Sequence, residues 1–127
     1  MSEKEYKNID DFKQSEYYKR ANDPKTRETI DSEIDDKFRQ AGNGIGNLIH
    51  NVKILYQMIC DKNFKIPNDK LVLIIAGLFY FVSPFDIVPD FFPFIGFVDD
   101  AAVIAMIVSA VLSLINQYMK SKDSHDI

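Results

Sequence analysis

The clearest pattern along the chain is a stripe of apolar residues at helical spacing. Ile30, Ile34, Phe38, Ala41, Ile45, Leu48, Val52, Leu55 and Ile59 follow one another by three or four positions, and Ile49 and Tyr56 widen the face. Such steps keep side chains on one side of an α-helix. Gly42, Gly44 and Gly46 interrupt the stripe. Each glycine costs about 1 kcal/mol in a helix interior, so three within five residues predict a break. The pattern therefore predicts two amphipathic helices, over 24–41 and 45–62. Asp23 and Pro24 mark the first start, as an N-cap acceptor followed by a residue suited to the first helical position. Before them, Tyr6, Ile9, Phe12 and Tyr17 sketch only a weak face. Residues 1–23 read as a polar, partly disordered or frayed segment.

Past residue 62 the pattern changes character. Residues 63–70 form a polar turn around Pro67, with Asn68 or Asp69 able to cap the next helix. Residues 71–85 carry no charge, and neither do residues 101–119. Lys120 and Lys122 close the second run, at the negative end of a helix dipole. Residues 123–127 read as a loose tail. The predicted fold is all-α: amphipathic N-terminal helices (24–62) followed by an apolar helix–turn–helix hairpin (63–122).

Between the two apolar runs lie residues 83–100, SPFDIVPDFFPFIGFVDD. Pro84, Pro89 and Pro93 lock φ and remove donors, so no regular helix runs through the whole stretch. Ser83, Pro84 and Asp86 have the form of a capping box, and Pro89 with Asp90 can open another turn. Gly96 supplies a bend, and Asp99 and Asp100 fall where a last helix would begin, a position that favours acids. A sharper reading makes Asp86, Asp90, Asp99 and Asp100 an oxygen-only cation site for Mg²⁺ or Ca²⁺. No D-x-D-x-D-G loop supports it. No nucleophile, phosphate loop or basic clamp accompanies the carboxylates, so catalysis is not expected.

Composition narrows the partners. The 127 residues, 46% hydrophobic, suffice for one domain, and the net charge of −4 gives no global basic field for nucleic acid. Residues 1–40 hold eleven acids and nine bases, a two-signed head on an apolar body. Cys60 is the single cysteine, which excludes an internal disulfide. His50 and His125 lack partners at ligand spacing, so zinc is not expected. The charged N-terminus holds no apolar core of a cleavable signal.

The remaining choice is between membrane and water. Residues 71–85 give only about 22 Å of helix against roughly 30 Å of hydrocarbon. Ser109, Ser113 and Asn116 dilute the second run. Yet Lys62, Lys65 and Lys70 at one outer end, Lys120 and Lys122 at the other, and four aspartates at the turn match the charge rule for a hairpin with both termini cytoplasmic. Phenylalanines and a tyrosine crowd the turn end, as at a membrane interface. Both apolar segments are also hydrophobic around most of their circumference.

The segment LIIAGLFYFVSPFDIVPDFFPFIGFVDDAAVIAMIV resembles the YkvA-like domain of bacterial proteins, whose hallmark is S-P-x-D-x-x-P-D-x-x-P-x-x-G-x-x-D-D. Ser83, Pro84, Asp86, Pro89, Asp90, Pro93, Gly96, Asp99 and Asp100 all fit it. The likeness covers residues 67–112 and, less distinctly, 55–67; the first forty residues lie outside. It implies a small membrane protein with apolar helices flanking the motif, and it implies no activity. The leading expectation is a membrane-associated scaffold or interaction protein, touching lipid and presenting its charged helices in the cytoplasm. The alternatives are a soluble all-α module that dimerises through the 30–59 stripe, and a divalent-cation-binding protein using the aspartates.

Overall fold

A computed structural model of the chain describes residues 8–41, 46–82 and 93–125; within these, the side chains of 40, 41, 46–48, 93–101 and 123–125 fall outside the description. The described residues form seven helices and no strand: α1 (Ile9–Lys13), α2 (Glu16–Lys19), α3 (Pro24–Ala41), α4 (Gly46–Cys60), α5 (Asn68–Val82), α6 (Pro93–Ala110) and α7 (Leu112–His125). The all-α expectation holds.

Local chemistry sets the early boundaries. The Asp23 carboxylate accepts the Lys25 N–H at 3.0 Å and the Asp23 carbonyl accepts the Thr26 N–H at 2.9 Å, so Asp23 starts α3 as an N-cap. The buried Thr26 hydroxyl donates to the Arg20 carbonyl at 2.6 Å, tying α2 to the start of α3. α3 ends at Ala41 and α4 begins at Gly46, on either side of the glycine cluster; Gly42, Gly44 and Ile45 lie outside the described residues.

The apolar stripe is spent inside the chain. Ile30, Ile34, Val52 and Leu55 are at most 1% exposed and belong to one core with α5. α3 and α4 both pack on α5. These side chains face their own core, as expected for a stripe that packs within one domain.

α5 is the axis of the fold, with α2, α3, α4 and α6 packed around it. Nine of its residues are buried: Val72, Leu73, Ile74, Ala76, Gly77, Leu78, Tyr80, Phe81 and Val82. Of its other apolar residues, Leu71, Ile75 and Phe79, spaced by four, are partly exposed. Burial on nearly every side is why this helix is apolar all round. Gly77 sits at the contact with α6; a Cβ there would run into Ile107 Cδ1, with Ile107 Cγ1 at 3.6 Å and Ile104 Cδ1 at 3.8 Å.

Two features depart from the expectations above. Residues 8–23 pack instead of fraying. Asn8 and Ser15 cap α1 and α2 by accepting the N–H groups of Asp11 (2.9 Å) and Tyr18 (3.3 Å). Phe12 is 0% exposed and Tyr17 4%. Phe12 meets Tyr80 edge-on at 6.1 Å, and Tyr17 meets Tyr80 at 4.8 Å and Phe79 at 5.7 Å. Two large rings anchor a segment that has almost no aliphatic stripe.

The second departure is α6–α7. The expected single helix over 101–119 instead starts at Pro93, bends by 73° at Val111 and runs to His125. No proline or glycine lies at the bend. Backbone bonds persist there from Val111 N–H to the Ile107 carbonyl and from Ile115 N–H to the Val111 carbonyl, both 3.0 Å. Tertiary docking sets the new direction: Tyr118 of α7 meets Phe64 edge-on at 5.0 Å, and α7 packs on α4. The helix wraps its core.

Candidate functional site

The aspartate–proline motif joins the axial helix to α6. Ser83, Pro84, Asp86, Pro89 and Asp90 lie outside the described residues. Pro93 is the first residue of α6, a position where proline is favoured. Gly96 is the fourth residue of that helix, so α6 runs through it without the expected bend. Asp99 and Asp100 are the seventh and eighth residues, in the second turn and not the first. The dipole argument for acids at a helix start therefore does not carry over to them. Their side chains lie outside the described residues. Among the described residues, no group of three or more His, Cys, Asp or Glu side chains is placed to hold a metal ion. None of the described buried side-chain nitrogens or oxygens lacks a partner.

A second polar grouping, invisible in residue spacing because its members lie up to 33 positions apart, links α3 to α4. Tyr56 donates its hydroxyl to Asp31 at 2.7 Å. Arg27 pairs with the same carboxylate at 3.4 Å and approaches the Cys60 sulfur at 3.5 Å. Burial, and then the hydrogen bond to Asp31 and the neighbouring Cys60, raise the Tyr56 phenol above its ordinary range. This grouping lies at the surface and ties α3 to α4.

The third feature is the outer face of α6–α7. Val103, Ile104, Ile107, Val111, Leu114 and Tyr118 point inward and keep helical phase across the bend. Ala102, Ala105, Ser109, Leu112, Asn116 and Met119 are exposed, also in phase. Leu112, 51% exposed, and Met119, 44% exposed, are the large hydrophobic residues that the described chain leaves open to solvent. They lie seven apart on one face of α7. The outer faces of α1, α2 and α3 carry charges such as Asp10, Glu16, Lys19, Glu28 and Glu33.

At the end of this face the loop after α4 folds onto α7. The Phe64–Tyr118 ring pair fixes the contact, Lys122 lies 3.9 Å from Asp61, and its ammonium sits 5.6 Å from the Tyr118 ring centre. Exposed Lys62 and Lys65 from the loop thus share one end of the molecule with exposed Lys120 and Lys122 from α7.

Residues 70–106, which run from the first turn of α5 through the motif into α6, match the family described as "Protein of unknown function (DUF1232)". Over 76 residues the chain is 36% identical to "Uncharacterized membrane protein YkvA" of Bacillus subtilis (strain 168), covering 57% of this chain and 72% of that protein. The chain belongs to the YkvA-like family. The DUF1232 match takes in the axial helix and most of α6, while α1–α3 and α7 lie outside it. No solved structure matches the chain.

Among the described residues, no single helix is long and apolar enough to cross a membrane. The bent pair Ala102–Ala110 and Leu112–Lys122 meets the composition test jointly. The two segments are set at 73° to each other.

Proposed function

We propose that this protein is a membrane-associated helical scaffold that sits on one face of the bilayer through the outer side of α6–α7, with both termini on the cytoplasmic side. The observation that carries the reading is the uncharged outer stripe with Leu112 and Met119 exposed at its centre and end. The name of the Bacillus relative as a membrane protein supports it. A spanning α5 fits less well, because α2 and α3 cover that helix and carry Glu16, Lys19, Arg20 and Glu33 on their outer sides. Each charge moved to mid-bilayer costs about 3 kcal/mol or more, so spanning would require α1–α3 to leave. Bound on the surface, the charged α1–α3 face stays in water as a platform for a partner.

Leu112 and Met119 are about half-exposed, so sinking them contributes roughly 1 kcal/mol each, with a smaller gain from Ala102 and Ala105. Flotation of the full chain with lipid vesicles tests the reading. Wild type floats with the lipid, and Leu112→Asp with Met119→Asp stays at the bottom while keeping its helical circular dichroism. If the double variant floats like wild type, this face is not the contact. In membranes from expressing cells, an impermeant maleimide should reach the exposed Cys60 only from the cytoplasmic side.

A further inference from the structure

We infer that the lysine-ringed end built by the loop after α4 and the end of α7 binds the headgroups of anionic lipids and orients the protein on the membrane. The inference rests on the surface-bound reading and adds the lipid class and the residues that select it. An apolar contact as small as Leu112 and Met119 gives marginal attachment, and stable peripheral binding takes a second signal, commonly basic. The fold supplies one in the right place. Lys62 and Lys65 come from one element and Lys120 and Lys122 from another, joined by the Phe64–Tyr118 contact at 5.0 Å. Lys120 directly follows Met119, where the uncharged stripe ends. Among the described acids of this loop, Asp61 is 22% exposed in its side chain and is paired with Lys122.

Net and local charge act in opposite directions. The chain as a whole carries −4, so an anionic surface repels it on average. Attraction must come from a local excess of positive charge within a Debye length of the headgroups, about 10 Å at 0.1 M salt. A polybasic end beside an apolar stripe, on an otherwise acidic protein, meets an anionic bilayer in one orientation only.

The test uses the full chain and vesicles of phosphatidylcholine alone or with one-third phosphatidylglycerol. Each lysine near an anionic surface tightens binding about fivefold, so Lys62→Gln, Lys65→Gln and Lys120→Gln together should weaken partitioning onto the anionic vesicles by about a hundredfold. Lys122 is left in place because it pairs with Asp61. Binding to neutral vesicles should be unchanged. A control with Lys13→Gln, Lys19→Gln and Lys25→Gln, equal in net charge, should retain nearly all anionic binding. Equal wild-type binding to both vesicle types, or equal losses in both triple variants, overturns the inference and leaves the membrane reading standing. Binding to neither vesicle type overturns both.

Discussion

Replacing Phe12 by alanine tests whether the N-terminal helices belong to the core. Phe12 is 0% exposed, and its ring meets Tyr80 of the axial helix at 6.1 Å. Deleting a buried phenylalanine costs about 3–5 kcal/mol, of which an edge-on ring pair supplies about 1 kcal/mol. The segment is short, so the loss cannot exceed the free energy that docks α1 and α2. The lower value, about 3 kcal/mol, is therefore the expectation. At about 2.1 cal/mol/K per residue, 127 residues unfold with roughly 0.27 kcal/mol/K, so 3 kcal/mol lowers Tm by about 11 °C. Calorimetry or thermal circular dichroism of the full chain reads this directly. Half-buried Ile9→Ala, on the same short helix, should cost a third as much or less. A double-mutant cycle with Tyr80→Leu should return a coupling of about 1 kcal/mol. A Phe12→Ala protein melting within about 2 °C of wild type, in one cooperative transition, would refute the packed N-terminus.

Three further outcomes are expected. Gly77→Val forces a Cβ and two methyl groups toward Ile107 and should cost about 2–3 kcal/mol in urea unfolding; adding Ile107→Val should recover about 1 kcal/mol. A Gly77→Val chain as stable as wild type would mean that α5 and α6 do not approach closely. Tyr56→Phe removes a bond to a carboxylate and should cost about 1 kcal/mol at pH 7. Because the folded state raises this phenol's pKa, its contribution is complete below the unfolded value of about 10 and fades as pH rises beyond it. Urea midpoints of wild type should therefore fall more steeply above pH 10 than those of Tyr56→Phe, and parallel curves would contradict this. Finally, if the aspartates of the motif act structurally, millimolar Ca²⁺ or Mg²⁺ leaves Tm unchanged. A cation-dependent rise in Tm that Asp86→Asn with Asp99→Asn abolishes would instead make the motif a cation site.

Elements fixed by local chemistry were legible in the sequence. The Asp23–Pro24 start of α3 follows from capping and appears where the residues place it; the break expected at Gly42, Gly44 and Gly46 falls mostly on residues outside the description. The packing of α1 and α2 was not legible, because the value of Phe12 and Tyr17 depends on Tyr80, far along the chain. The all-round apolarity of α5 was visible but ambiguous. A helix surrounded by lipid and one surrounded by its own protein show the same pattern, and only the docking of α2, α3, α4 and α6 separates them. The bend at Val111 carries no sequence signature, since neither proline nor glycine makes it. The lysines stand out in the sequence only as ends of a hairpin. Their gathering around Phe64 and Tyr118 is tertiary and could not be read from spacing.

The axial position of α5 also bears on how the protein is made. Synthesis proceeds from the N-terminus, so α2, α3 and α4 leave the ribosome before the most apolar helix does. Their inward stripe, with Ile30, Ile34, Val52 and Leu55, is already present as a cradle when α5 appears. The order of elements thus acts as a built-in chaperone, offering α5 a protein partner before lipid or another nascent chain can capture it. A circular permutant that begins at residue 68 would reverse that order. Its nascent α5 would emerge uncovered, and aggregation or insertion during synthesis should rise although the finished chain has the same composition.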